Sequence, residues 1–407
     1  MTDGQGRFFA DRFLDGFGTW MLGYTPYGGG DVGDVIAVAD AVGEGGEDDF
    51  YEAWVAAGDR AATDAERTLA DGHRSSAADL YLRASAFYAS AYHPLFGAPV
   101  DPRLVAAYRR QLEALDTGLT LRHEGLSRLQ IPLGDLTLPG YLIPAHGHEG
   151  EQRPVIILVN GYDATMTDLY FASAVAALRR GYHCVIFDGP GQGGVLYEQG
   201  VPLRPDWEAV VSAVIDVIEP VPIVDASRIA VSGWSLGGYF VPRAATSDSR
   251  IAACIADPGQ WDLASGIEGF LRRFGATAEQ AADPAGLSDE FFAAAHEAIA
   301  ADRQLRWSIL QRGFWANGVT DLRGFVQETM RYTFRDKVDD IRCPVLITMA
   351  ENDPIAASAE EFYEALTAPK TLLRFTADEG AGDHCEMMNR SLVNRRALDW
   401  LDGVFTG

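Results

Sequence analysis

The chain has 407 residues, is 47% hydrophobic and carries a formal net charge of −25, with 33 Lys and Arg against 58 Asp and Glu. That balance argues against a nucleic-acid partner, because phosphate binding begins with a basic patch, and no apolar run approaches the roughly 18 residues of a membrane span. What remains is a soluble globular protein, large enough for a full core plus a second domain or a sizeable insertion.

The first residues, MTDGQGRFFADRFLDG, place acids where a secretion signal needs a basic region, and no continuous apolar stretch follows; a cytoplasmic location is expected. The glycine cluster GYTPYGGGDVGDV (23–35) is too short for a flexible linker and reads as a structured turn. In SAADLYLRASAFYASAYH, Leu80, Ala84, Phe87, Tyr88 and Ala91 share one helical face, and Leu104, Tyr108, Leu112 and Leu115 repeat the spacing. Residues 1–124 are therefore expected to form a helical N-terminal domain.

From residue 125 the chain alternates strand and helix. LSRLQIPLG and LTLPGYLIP, separated by Asp135, predict an antiparallel hairpin. VIILVNG (155–161), HCVIFDGPG (183–191), RIAVSGW (228–234), AACIADPG (252–259), VLITMAEND (345–353) and TLLRFTADEG (371–380) read as strands. Helices are expected around DLYFASAVAALRRG and after Pro205, where Trp207, Val210, Val211, Val214 and Ile218 share a side. Apolar strands alternating with amphipathic helices predict an α/β fold, a doubly wound, mostly parallel sheet covered on both faces. Residues 125–260 and 342–407 form this core, and the helical interval 261–341 is expected to be a cap over the crevice at the strand ends. Cys184, Cys254, Cys343 and Cys385 stand singly, without CxxC spacing, and read as reduced core residues.

Gly233-Trp234-Ser235-Leu236-Gly237 fits G-x-S-x-G with a strand before it and a helix after it. In that setting the glycines let the strand turn sharply into a helix and lift the Ser235 hydroxyl above the sheet; a solvated serine in a glycine-rich turn is the plainer alternative. A serine nucleophile needs a general base oriented by a third group, and behind such an elbow the acid precedes the histidine in chain order. Only His296 and His384 follow Ser235. His296 lies within FFAAAHEAIAA and reads as a helix-surface residue; His384 sits in a glycine-containing loop after the last strand. Asp353, ending VLITMAEND, is the expected acid, with Glu351 its rival and Asp383 a loop-ordering neighbour. Backbone N–H groups of Leu236 and Tyr162 are the candidate oxyanion donors. FDGPGQGG lacks the G-K-[ST] of a phosphate loop and reads as a turn beside the site. No metal spacing appears, and neither a metal nor a cofactor is implied.

These residues carry a resemblance. The chain resembles the α/β-hydrolases, and more narrowly the group holding 2,6-dihydroxypseudooxynicotine hydrolase, the fungal hydrolases that shorten polyketide pigments and the fermentation-respiration-switch esterases. The likeness runs through YGGGDVGDV, GHRSSAADLYLRASAFY, VNGYDAT, FDGPGQGG, GWSLGGYF and RIAACIADPG. It implies a Ser235, Asp353 and His384 triad, and N-terminal helices that pack beside the cap and help form the pocket and a homodimer interface. It also implies a further acid near the start of the cap, for which Glu268 is the nearest match.

Two relatives in that group cleave a carbon–carbon bond beside a ketone, so C–C hydrolysis of a polyketide-like or aromatic substrate is the expected reaction. Carboxylic ester hydrolysis and non-hydrolytic elimination of an acyloxy group stay open, as does a catalytically idle fold acting as a binding protein. Trp234 and the aromatic residues Phe8, Phe9, Trp20, Tyr24 and Tyr27 are candidates for lining an apolar pocket, with core packing the alternative.

Overall fold

Val155, Ile157 and Val159 feed one apolar core while Ile156 and Leu158 feed another, as in a parallel strand covered on both faces. In the computed structural model, which describes residues 6–406, this strand is β3 (Arg153–Val159). Residues 1–5, part of the stretch read above for a secretion signal, lie outside the described residues. β3 belongs to an eight-stranded sheet whose spatial order is β1 (Ser127–Leu133), β2 (Leu136–Ile143), β4 (His183–Phe187), β3, β5 (Val224–Trp234), β6 (Ile251–Asp257), β7 (Val345–Ala350) and β8 (Lys370–Phe375). β1 and β2 form the expected hairpin, β2 also runs antiparallel to β4, and the other neighbours are parallel. The register sets Trp234 of β5 beside Asp257 of β6. Every strand read from the sequence forms, and the fold class is the expected one.

Ahead of the sheet stand three long helices, Glu47–Ala70, Arg74–Ala91 and Pro102–Arg122. The middle one departs from the one-face expectation: Ala84 to Ala91 are all buried and Leu80 is only half-buried. It lies between the other two, and its alanines and serines let both approach. Residues 23–35 hold a short turn at Thr25–Tyr27, then Gly28 with φ +87°, and already by Val32 the helix Val32–Val42.

Between β6 and β7 the chain is helical, including Ala264–Arg273, Asp289–Ala301 and Leu322–Thr329. These helices share a small core of their own around Leu271, Phe292, Ile299, Leu322 and Val326. Among the described residues no helix is long and apolar enough to cross a membrane, and the four cysteines are free and buried.

Candidate active site

At the end of β5 the backbone reverses through Ser235, whose φ of +59° lies in the left-handed region that side-chain-bearing residues rarely adopt. The turn closes because Gly233 and Gly237 have no side chains: a Cβ on Gly233 would sit 1.9 Å from the Gly237 carbonyl oxygen, and one on Gly237 would sit 2.4 Å from that of Val159. The Ser235 N–H donates to the Asp257 carbonyl at 2.7 Å, and the helix Gly237–Ala245 leads away.

Loops from two later strands reach this hydroxyl. His384, after β8, has Nε2 2.9 Å from Ser235 Oγ and Nδ1 2.8 Å from Asp353 Oδ2. The Asp353 side chain, just past β7, is fully buried, and its other oxygen accepts the Ile355 N–H at 3.0 Å. A carboxylate on Nδ1 holds the ring in the tautomer whose Nε2 can accept the serine proton. Glu351 instead accepts the Ala377 N–H at 2.8 Å. Asp383 orders its loop by accepting the Met388 N–H at 3.1 Å, and burial holds its carboxyl above the usual range. His296 is exposed on its helix.

The loop after β3 brings Tyr162 beside the elbow, with Gly161 so close that a Cβ there would lie 2.7 Å from the Leu236 nitrogen. Among the described residues neither the Leu236 nor the Tyr162 N–H has a backbone acceptor. Both residues border the same cavity as Ser235. A residue the sequence reading missed supports this loop. Gln192, in the FDGPGQGG turn, donates from Nε2 to the carbonyls of Asn160 at 2.8 Å and Gly161 at 2.9 Å, and accepts the Gly189 N–H at 2.9 Å. From the other side Arg312 pairs with Asp163 and lies 4.5 Å from the centre of the Tyr162 ring, whose hydroxyl is met by Asn317. Burial pushes that hydroxyl up to about 12.

The cavity above Ser235 encloses about 690 Å³, within the range of small-molecule sites. Phe13, Phe17, Trp20 and Trp307 give it aromatic walls; Gln260, Ser265, Arg312 and Glu361 add polar groups. Of the aromatic residues expected at the pocket, Trp20 reaches it, while Phe9 and Tyr24 are core and Tyr27 accepts a hydrogen bond from Asn394. Phe13 and Phe17 were not singled out, although their i, i+4 spacing marks one helix face. Trp234 is only 4% exposed and lies behind Trp20, between it and Arg390, outside the lining. Glu268 also lies outside the lining, although Ser265 and Gly266, three and two residues before it on the same helix, meet the cavity. The acids at the wall are Asp163, Asp262 and Glu361. Among the described residues no group of three or more His, Cys, Asp or Glu is placed to hold a metal ion.

The model of the alpha/beta hydrolase family matches residues 156–395. The chain belongs to this family. It is 33% identical over 98% of both chains to 20-hydroxy-prefusarin hydrolase FUS2 of Gibberella moniliformis. To hydrolase LUC6 of a Fusarium species it is 32% identical, over 95% of this chain and 94% of that one. Among solved structures, 2,6-dihydroxy-pseudo-oxynicotine hydrolase shares the fold over 94% of both chains, with a TM-score of 0.71 at 22% identity. This α/β hydrolase is thus an enzyme of the hydrolase class.

Proposed function

We propose that this α/β hydrolase opens a ketone- or acyl-bearing small molecule by serine-dependent C–C hydrolysis, with Ser235 as nucleophile, His384 as base and then acid, and Asp353 as the group that orients it. The observation that carries the proposal is the unbroken hydrogen-bonded path from Asp353 through His384 to Ser235 at the floor of an aromatic-walled cavity. The relative named for 20-hydroxy-prefusarin fits a small natural product as substrate.

In this reading Ser235 Oγ attacks the carbonyl while His384 Nε2 takes its proton. The oxyanion is held by the Leu236 and Tyr162 N–H groups. Collapse breaks the bond to the neighbouring carbon, whose electron pair must be stabilised as an enolate or by an electron-rich ring, and the His384 imidazolium returns the proton to that carbon. Water, with His384 as base, then cleaves the acyl-enzyme, so one water is consumed per bond broken. Residues 1–124 and 261–341 serve as helical domain and cap that enclose this chemistry.

An alkyl fluorophosphonate tests the nucleophile, and a 1-aryl-1,3-diketone tests the reaction. The expected result is labelling of Ser235 and release of a carboxylate plus a methyl ketone. Undiminished labelling in Ser235→Ala would overturn the serine assignment. Turnover of p-nitrophenyl acetate with no diketone cleavage would make the enzyme an ester hydrolase; acyloxy loss without water incorporation would make it an eliminase. Absence of both labelling and turnover would favour a binding protein.

A further inference from the structure

Behind Ser235 and His384 lies a second set of ionisable groups that the proposed reaction does not use. Asp257 ends β6, Glu386 follows His384 by two residues, and Arg390 opens the C-terminal helix Arg390–Thr406. They are 4%, 0% and 3% exposed. Arg390 Nη1 donates to Asp257 Oδ2 and to the Cys385 carbonyl, each at 2.7 Å, and Thr348 Oγ1 donates to Asp257 Oδ1 at 2.7 Å.

One cation therefore faces two carboxyl groups. Glu386 Oε2 stays 4.0 Å from Arg390 Nη1, and neither Glu386 oxygen has a donor among the described residues. An ionised carboxylate left so would carry a heavy desolvation cost, whereas a neutral carboxyl can donate to a neighbouring carboxylate. Burial first, and the charge of Asp257 second, push Glu386 well above the usual range; at Asp257 burial is the largest influence and pulls upward, but Arg390 together with hydrogen bonds from Glu386 and Thr348 holds the carboxyl low. The charged groups facing Glu386 are Asp257, Arg390 and Asp353.

The cluster touches the backbone of both halves of the Ser–His pair. The Asp257 carbonyl receives the Ser235 N–H. Cys385 and Glu386, with φ of +53° and +50°, form the left-handed turn that presents His384, and Arg390 holds the carbonyl between them. We infer that Glu386, as a neutral donor to Asp257 within this buried cluster, is a positioning residue that ties the elbow of Ser235 to the turn of His384 and sets the spacing between them. The inference rests on the triad reading above.

The test is the second-order rate of labelling by an alkyl fluorophosphonate against pH, in the full chain. Glu386→Leu keeps the volume and removes the hydrogen bond. It is expected to retain a cooperative melting transition yet label about tenfold more slowly or worse, since misplacement by 1 Å can cost about 100-fold. Glu386→Gln can still donate and is neutral, so its rate is expected within about threefold of wild type with the pH midpoint, which reports His384, unmoved. Asp257→Asn removes a charge and is expected to label slowly with a lowered midpoint. Wild-type labelling in Glu386→Leu would overturn the inference. So would a midpoint lowered by about one unit in Glu386→Gln, whether or not Glu386→Leu folds, because it would mean that Glu386 is ionised. Failure of the triad reading is distinguishable: the wild-type enzyme itself would not be labelled at Ser235.

Discussion

In the proposed reaction Ser235 depends on a backbone conformation that side chains avoid, and Gly233 and Gly237 leave the space for it. Replacing Ser235 by Ala leaves this scaffold in place, so the variant is expected to melt like wild type and lose about 10³-fold or more in kcat; near-wild-type turnover would remove covalent catalysis. Asp353→Asn keeps the shape but favours the wrong tautomer of His384, and its loss is expected to approach that of His384→Ala without adding to it; a double variant showing the full sum would separate the two residues. Burial shifts the titration of another carboxyl, Asp188. Asp188 is fully buried beside the loop after β3, accepting from Tyr108, Met166 and Asn160, and burial with the charge of Asp168 pushes it up to about 7. Because its folded value is raised above the 3.8 of the free side chain, the folded state holds the proton longer, and stability is lost as pH rises from about 4 through 7. Asp188→Asn is expected to narrow the difference in Tm between pH 5 and pH 8; an unchanged difference would remove Asp188 as the source. At this scale the three residues that share one hydrogen-bonded path, Ser235, His384 and Asp353, were legible because each lies in a short local pattern, at a strand end or in a glycine-bearing loop. Trp234 and Glu268 were not, since closeness in sequence to a site does not say which way a side chain points.

Strands could be read from single runs because burial on both faces makes them uniformly apolar, and the elbow because its glycines mark a local clash. The role of a helix in the insertion had no such local mark. Which loop the segment carrying Arg312 and Asn317 would grip depends on how the residues between β6 and β7 fold back, and only the packed chain brings Arg312 to Asp163 and Asn317 to the Tyr162 hydroxyl. Gln192 was hidden in the same way, in a turn whose glycines suggested shape alone. From these contacts, Arg312→Ala is expected to lower kcat by about tenfold or more with a smaller change in KM, because a displaced Tyr162 N–H weakens binding of the oxyanion rather than of the ground state. Arg312→Ala and Asp163→Ala share one contact, so their combined loss is expected to fall short of the sum. A rise in KM alone would make Arg312 a substrate-binding group instead.

At the scale of the whole molecule the cavity is walled by two parts of the chain that lie far apart in sequence. Phe13 and Phe17 from the N-terminal region meet Trp307 from the insertion at ring-centroid distances of 6.0 and 4.8 Å. Trp307 donates from Nε1 to the His93 carbonyl at 3.0 Å, and Arg303 lies 4.3 Å from the centre of the Phe13 ring while pairing with Asp11 and Glu47. Aromatic packing and partly exposed ion pairs pin this roof, and on the proposed function it is expected to restrict the entry of large substrates. Because long flexible acyl chains must thread that roof and lose rotational freedom inside it, p-nitrophenyl palmitate is expected to show a kcat/KM at least about tenfold below that of p-nitrophenyl acetate. Breaking the pin with Arg303→Ala is expected to raise the palmitate value relative to the acetate value, since only the larger substrate depends on the opening. Equal handling of both esters by the wild-type enzyme, or an Arg303→Ala variant with an unchanged ratio, would mean that substrate reaches Ser235 by a route this roof does not control.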